Sequence, residues 1–109
     1  MIGNLEVAYC DGVEEVFPAI ADPARRRLVE ALAERNDQTL FELCVRLLGS
    51  GHSMSRQAVA KHLGVLKAAG LVSTTVQGRT TLHHLDPTAL GGVRDWVERI
   101  APPAEEGQQ

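Results

Sequence analysis

Residues 53–70 read SMSRQAVAKHLGVLKAAG, and the face pattern of this stretch decides the fold. Apolar residues recur at helical spacing: Val59, Leu63 and Leu66 form a core stripe, widened by Ala58, Val65 and Ala69. Ser53 or Ser55 can cap the start, and Gly70 suits the position just past the end, which predicts a helix over 53–69. On the far side Ala60, Gly64 and Ala68 make a row of small residues, bordered by Gln57 and Lys61 on one flank and Arg56 and Lys67 on the other. A solvated helix gains nothing from Gly64, since an interior glycine costs about 1 kcal/mol against alanine. A helix lying in the major groove of a duplex needs such a face, with little bulk toward the base edges and long cationic side chains beside it.

Working outward, Leu71–Val76 and Thr80–Leu85 are rich in β-branched residues and are joined by Gln77-Gly78-Arg79, the pattern of a hairpin. Upstream, Thr39 with Glu42 three residues on is a capping box opening a helix through Leu40, Leu43, Leu47 and Leu48. Before it, Asp22-Pro23 starts a helix whose inward face is Ala24, Leu28, Ala31 and Leu32. Arg25, Arg26 and Arg27 in its first turns are expected to pair with Glu30 and Glu34, with a phosphate contact as the second reading. A first helix runs from about Asp11 to Ile20, shortened or kinked by Pro18, and Asp86-Pro87 opens a last one reaching Ile100. In that last helix Gly91-Gly92 suggests a close approach. The order α-α-α-α-β-β-α, mainly helical with a small β-hairpin wing, is that of a winged helix-turn-helix domain occupying residues 11–100. Residues 1–10 then form an N-terminal arm and 101–109 a disordered tail.

The composition agrees with a single domain. The chain has 109 residues, 44% of them apolar and only four aromatic, so the core must be aliphatic. No apolar run spans a membrane, no leader pattern opens the chain, and two cysteines do not make a disulfide framework, so a cytoplasmic location is expected. The net charge of −3 hides a sharp asymmetry. From Leu43 to Leu85 there is no Asp or Glu, and Arg46, Arg56, Lys61, Lys67 and Arg79 bring this block to +5 between flanks of −5 and −3. Such a distribution is the electrostatic footprint of a polyanion partner.

Chemistry assigns roles within that block. Arg56 matches the paired acceptors of guanine and Gln57 those of adenine, and both sit in the first turn of helix 53–69. Lys61 and Lys67 suit phosphates, Ser55 offers a hydroxyl or a helix-terminal amide to one, and Ala60 leaves room for the duplex. Arg79, at the tip of a wing over 76–80, is placed for backbone or minor groove. His62 falls in the apolar arc and reads as a packing residue. With no aromatic in the block, stacking on single strands is disfavoured. No acid stands near the histidines and no phosphate loop or nucleophile motif occurs, so the chain reads as no enzyme.

The strings Ala21-Asp22-Pro23-Ala24-Arg25-Arg26-Arg27, Thr39 through Leu48, Met54 through Leu63, Leu66 through Val72, and Leu82 to Pro87 together resemble the ArsR-type winged helix-turn-helix repressors of bacteria. The resemblance implies a homodimeric repressor of double-stranded DNA, its terminal helices pairing the subunits. The residues agree, because Val13, Val16, Phe17 and Ile20 present more apolar surface than so small a domain can bury, with plain intramolecular core as their second reading. So do Leu90, Val93, Trp96, Val97 and Ile100 in the last helix. Many such repressors sense metals through a cysteine pair on the third helix. Here Cys44 keeps one position and Arg46 stands at the other, and the last helix offers only Asp95 and Glu98. One thiolate makes no site, so no metal or cofactor is assigned and the inducer is left open. Cys10 with Cys44 across a dimer would be the only candidate for metal, metalloid or thiol-redox control. His83 and His84 point to opposite faces of a strand and cannot share a site. A winged-helix module that docks proteins and binds no DNA is the remaining alternative.

Overall fold

A computed structural model describes residues 14–103 of the chain. Helix α1 is described over residues 14–19, α2 spans Pro23–Glu34, α3 Leu40–Gly49 and α4 Arg56–Ala68. Strands β1 (Val72–Gln77) and β2 (Thr80–Leu85) follow, then one 3-10 turn at Pro87–Ala89 and α5 (Leu90–Ile100). The expected element order is present. Residues 1–13, with Cys10 and Val13, and residues 104–109 lie outside the described part, so the proposed arm and most of the tail do too.

The helix starts follow from local chemistry. The Asp22 carboxylate accepts from the N–H groups of Ala24 at 2.7 Å and Arg25 at 3.1 Å, with Pro23 at the first helical position. The capping box is complete: Thr39 accepts from the Glu42 N–H at 3.1 Å while the Glu42 carboxylate accepts from the Thr39 N–H at 2.9 Å. At α4 the cap is Ser55, accepting from the Ala58 N–H at 3.0 Å, and not Ser53. The helix therefore runs shorter than the predicted 53–69. Both α3 and α4 end on a left-handed glycine, Gly51 (φ +87°) and Gly70 (φ +83°). Past each, an amide reaches back to close the last turn, His52 to the Leu47 carbonyl and Leu71 to the Leu66 carbonyl, both at 2.9 Å.

Three helices and the hairpin close over an aliphatic core. Leu28, Ala31 and Leu32 of α2, Leu43 and Leu47 of α3, and Val59, Leu63 and Leu66 of α4 are buried together with Leu71 and Val72. Val16 belongs to this core as well: it is 0% exposed, so it supports the fold and is not an interface residue as expected. Leu48 and Val65 depart from the expected packing in the other direction. Leu48 sits one step round the helix from Leu47 and is 64% exposed, and Val65 likewise turns outward beside buried Leu66.

The arginines of α2 do not all pair as expected. Arg27 makes ion pairs with Glu30 and Glu34, but Arg25 and Arg26 turn back to the end of α1. Arg25 donates to the carbonyls of Ala19 at 2.7 Å and Pro18 at 3.2 Å, and Arg26 to those of Ile20 and Ala21 at 2.9 and 3.1 Å. Carbonyls at a helix C-terminus lack the i+4 partner of the interior, though that of Pro18 also accepts from the Ala21 N–H at 3.2 Å, and cations there favour the dipole.

The hairpin is antiparallel, with Val72 opposite Leu85 and Gln77 opposite Thr80, so the turn itself is Gly78-Arg79. The link between α2 and α3 is stitched to β2: the Gln38 carbonyl accepts from the His83 N–H at 2.8 Å, and the Asp37 N–H donates to the His83 carbonyl at 3.0 Å. Gln38 is buried, and its amide donates to the Ala31 and Arg35 carbonyls that end α2. The predicted last helix divides, since Asp86 caps only the 3-10 turn and α5 begins at Leu90 without a side-chain cap. Beyond its neighbours and its own helix's backbone, no described atom lies within 4 Å of where a Cβ would stand on Gly91, so at that glycine the described chain makes no close approach.

Candidate nucleic-acid interface

Helix α4 is held by its apolar stripe and leaves its other face in solvent. Arg56, Gln57, Ala60, Lys61 and Gly64 are all exposed. Among the described residues, the side chains of Arg56, Gln57, Lys61 and Arg79 make no hydrogen bond or ion pair. The Ser55 hydroxyl accepts from its own helix at Ala58, which leaves its proton for an outside acceptor. His62 is half-buried and its Nδ1 lies 3.1 Å from Nη1 of Arg25. A guanidinium can only donate, so this nitrogen accepts, and His62 ties α4 to α2 as a packing residue.

The wing stands beside α4 and turns it into one side of a groove. Strand alternation sends Val72, Thr74 and Val76 of β1 and Thr81 and His83 of β2 to the same face, and these line a groove of about 380 Å³ with Ala60, Gly64 and Lys67. Lys67 Nζ donates to Thr74 Oγ1 at 3.3 Å across it. A second, larger cleft of about 580 Å³ continues from it toward the start of α3, where Thr39 and Phe41 face Arg56, Ala60, Arg79 and Thr81. Neither cleft has an Asp or Glu in its lining. The two arginines, 23 positions apart in the chain, thus border one open, acid-free cleft.

The small-residue row is shorter than its spacing suggests. Ala60 and Gly64 face the groove, but Ala68 has rotated onto the other side, lining a shallow apolar depression with Pro18, Ala19 and Val65. Lys61 lines neither cleft. Phe41, Thr80 and Thr81 were not among the residues the sequence singled out, although strand alternation alone places Thr81 on the face of His83.

Away from this face, α1 and α5 meet. The rings of Phe17 and Trp96 pack edge to face with centroids 5.2 Å apart. Ile20, Leu90 and Val93 are half-buried against the core, while Trp96, Val97 and Ile100 keep 41%, 42% and 63% of their surface exposed. Of the expected interface set, all but buried Val16 and the undescribed Val13 keep part of their apolar surface exposed.

Cys44 is half-buried on α3. Among the described residues no three His, Cys, Asp or Glu side chains stand together as a metal site would need. His83 and His84 do diverge: Nδ1 of His83 bonds the Gln38 carbonyl at 3.0 Å, whereas His84 contacts Asp37 and, at 2.8 Å, Thr75. No described helix is long and apolar enough to cross a membrane.

Comparison with known proteins agrees with this geometry. Residues 20–75 match the family described as a helix-turn-helix domain. The chain is 45% identical over 87 residues to an uncharacterized HTH-type transcriptional regulator of Bacillus subtilis, YuzN, covering 78% of this chain and 95% of that one. It is 38% identical over 71 residues to a transcriptional repressor SmtB homolog of Synechocystis, covering 65% of this chain and 49% of the relative. Among solved structures, an ArsR-like transcriptional regulator from Rhodococcus superposes with a TM-score of 0.70 at 34% identity, over 86% of this chain and 83% of that one.

Proposed function

Because the chain belongs to the ArsR-type winged helix-turn-helix transcriptional regulators, we propose that it acts as a homodimeric repressor on a near-palindromic DNA operator. It is a transcriptional regulator and not an enzyme. The observation that carries the reading is the pairing of Arg56 and Arg79 on one acid-free cleft between α4 and the wing. In this reading α4 enters the major groove. Arg56 and Gln57 meet base edges, and Ala60 and Gly64 admit the duplex. Lys61, Lys67 and the Ser55 hydroxyl take phosphates, and Arg79 follows the backbone or minor groove beside the wing. A second copy covers the apolar surface of α1 and α5, which sets two α4 helices on successive half-sites. Such a regulator works in the bacterial cytoplasm, where the chromosome lies.

The test is fluorescence anisotropy on the DNA upstream of the protein's own gene against a scrambled duplex, across a salt series. Specific binding appears as tighter affinity for the upstream fragment, with log affinity falling steeply in log salt. Arg56→Ala should erase most of the preference, and Arg79→Ala should weaken both duplexes alike and lower the salt slope by about 1. No affinity for either duplex at low salt would refute the reading and leave a protein-docking module.

A further inference from the structure

Phe41 is the second residue of α3 and is 66% exposed, the largest side chain so placed in the described chain apart from Trp96. Nothing in the fold asks for it there. The face of α3 that packs inward carries Leu43 and Leu47, and among the described residues the aromatic pair is Phe17 with Trp96. Yet its position is rigid, because the Thr39–Glu42 capping box fixes the first turn of α3 on both sides of it. Val45 and Leu48 continue an exposed stripe along α3, but of the three only Phe41 lines the cleft that holds Arg56 and Arg79.

We propose that Phe41 is a DNA-backbone contact, its ring packing on a deoxyribose beside the phosphate held by Arg79 while Arg56 reaches past it to a base edge. The inference rests on the DNA-binding reading above and adds a residue to it. The occupant follows from continuity with that surface: an acid-free cleft bordered by two guanidiniums draws in a polyanion. Phosphates alternate along the strand with sugars, whose C–H surface is the apolar part of the backbone. In a helix-turn-helix the helix before the recognition helix crosses the backbone, and α3 is that helix. The Arg79 guanidinium takes the charge and the ring takes the sugar, so the contact adds affinity without reading sequence and without displacing a counterion.

This division gives the experiment its signature. Wild type, Phe41→Ala, Phe41→Leu, Arg56→Ala and Arg79→Ala are titrated by anisotropy on the upstream and the scrambled duplex at several salt concentrations. Phe41→Ala should bind both duplexes about tenfold more weakly with an unchanged salt slope, and Phe41→Leu should recover most of the loss. Phe41 is exposed, so circular dichroism and sedimentation of the variants should match wild type. If Phe41→Ala binds within about twofold of wild type while Arg56→Ala and Arg79→Ala weaken, the inference fails and the parent reading stands. A shift of Phe41→Ala to a smaller assembly in sedimentation would overturn the inference by assigning the ring to a protein interface. If wild type binds neither duplex at low salt, both readings fall together.

Discussion

Gly64→Ala separates the stability of α4 from its use. Gly64 lies in the interior of the 13-residue helix, and beyond its neighbours and the helix's own backbone no described atom stands within 4 Å of the place a Cβ would take. Its backbone is helical and not left-handed, so alanine enters without strain. Replacing an interior helical glycine by alanine is therefore expected to stabilise the fold by about 1 kcal/mol, the full propensity difference. For a domain of this size that is a rise in Tm of about 4 °C, read by thermal circular dichroism at one fixed protein concentration. The same methyl points into the groove between α4 and the wing, on the row with Ala60. If the duplex approaches that row closely, the methyl should weaken upstream DNA by about tenfold or more, equivalent to about 1.4 kcal/mol. The variant would then be more stable and less active. A Tm that falls or does not move would refute the open-space reading of Gly64. A higher Tm with undiminished DNA affinity would show that the small-residue face does not admit the duplex.

Two further outcomes follow from the caps and the apolar face. Backbone hydrogen bonds, that from Arg25 foremost and then that from Ala24, hold the Asp22 carboxyl below its ordinary value of 3.8, against an opposing desolvation and with help from the charges of His62 and Arg25. A depressed carboxylate contributes stability that is present above its unfolded pKa and lost as pH falls through the folded one. Asp22→Ala should cost about 1 kcal/mol near neutral pH, and the gap to wild type in urea titrations should close only below pH 3.8; a constant gap down to strong acid would refute the carboxylate as the cap. Trp96→Glu should raise the dimer dissociation constant at least tenfold while the helical signal persists, because it sets a charge on the exposed face of α5. Sedimentation equilibrium indistinguishable from wild type would remove α5 as the subunit interface.

Much of the domain was legible because its signals are local. The capping box at Thr39, the Asp22-Pro23 start and Gly70 past α4 all depend on residues within one turn of each other. The stripe Val59, Leu63, Leu66 and the exposed face of Arg56, Gln57 and Ala60 were likewise readable, since helical period alone separates them. Errors arose where a partner is remote. Arg26 has Glu30 one turn on in its own helix, yet both Arg25 and Arg26 donate to carbonyls at the end of α1, and only the turn between α1 and α2 brings those within reach.

Val16 shows the same limit from the apolar side. Composition and spacing established that α1 carries a sticky face, but which of its residues meets the core and which meets solvent depends on how α1 lies against α2 and α4. The sequence alone determined the helical order, the wing, the cationic block and the outward face of Arg56, Gln57, Ala60, Lys61 and Gly64 on α4, because period, caps and charge are properties of neighbours in the chain. Only the tertiary structure decided that Phe41, Arg56 and Arg79 border one cleft, that Ala68 turns away from the groove, and that the link before α3 is pinned to β2. Those juxtapositions join positions tens of residues apart, and packing of the intervening helices, not any local preference, sets the distance between them.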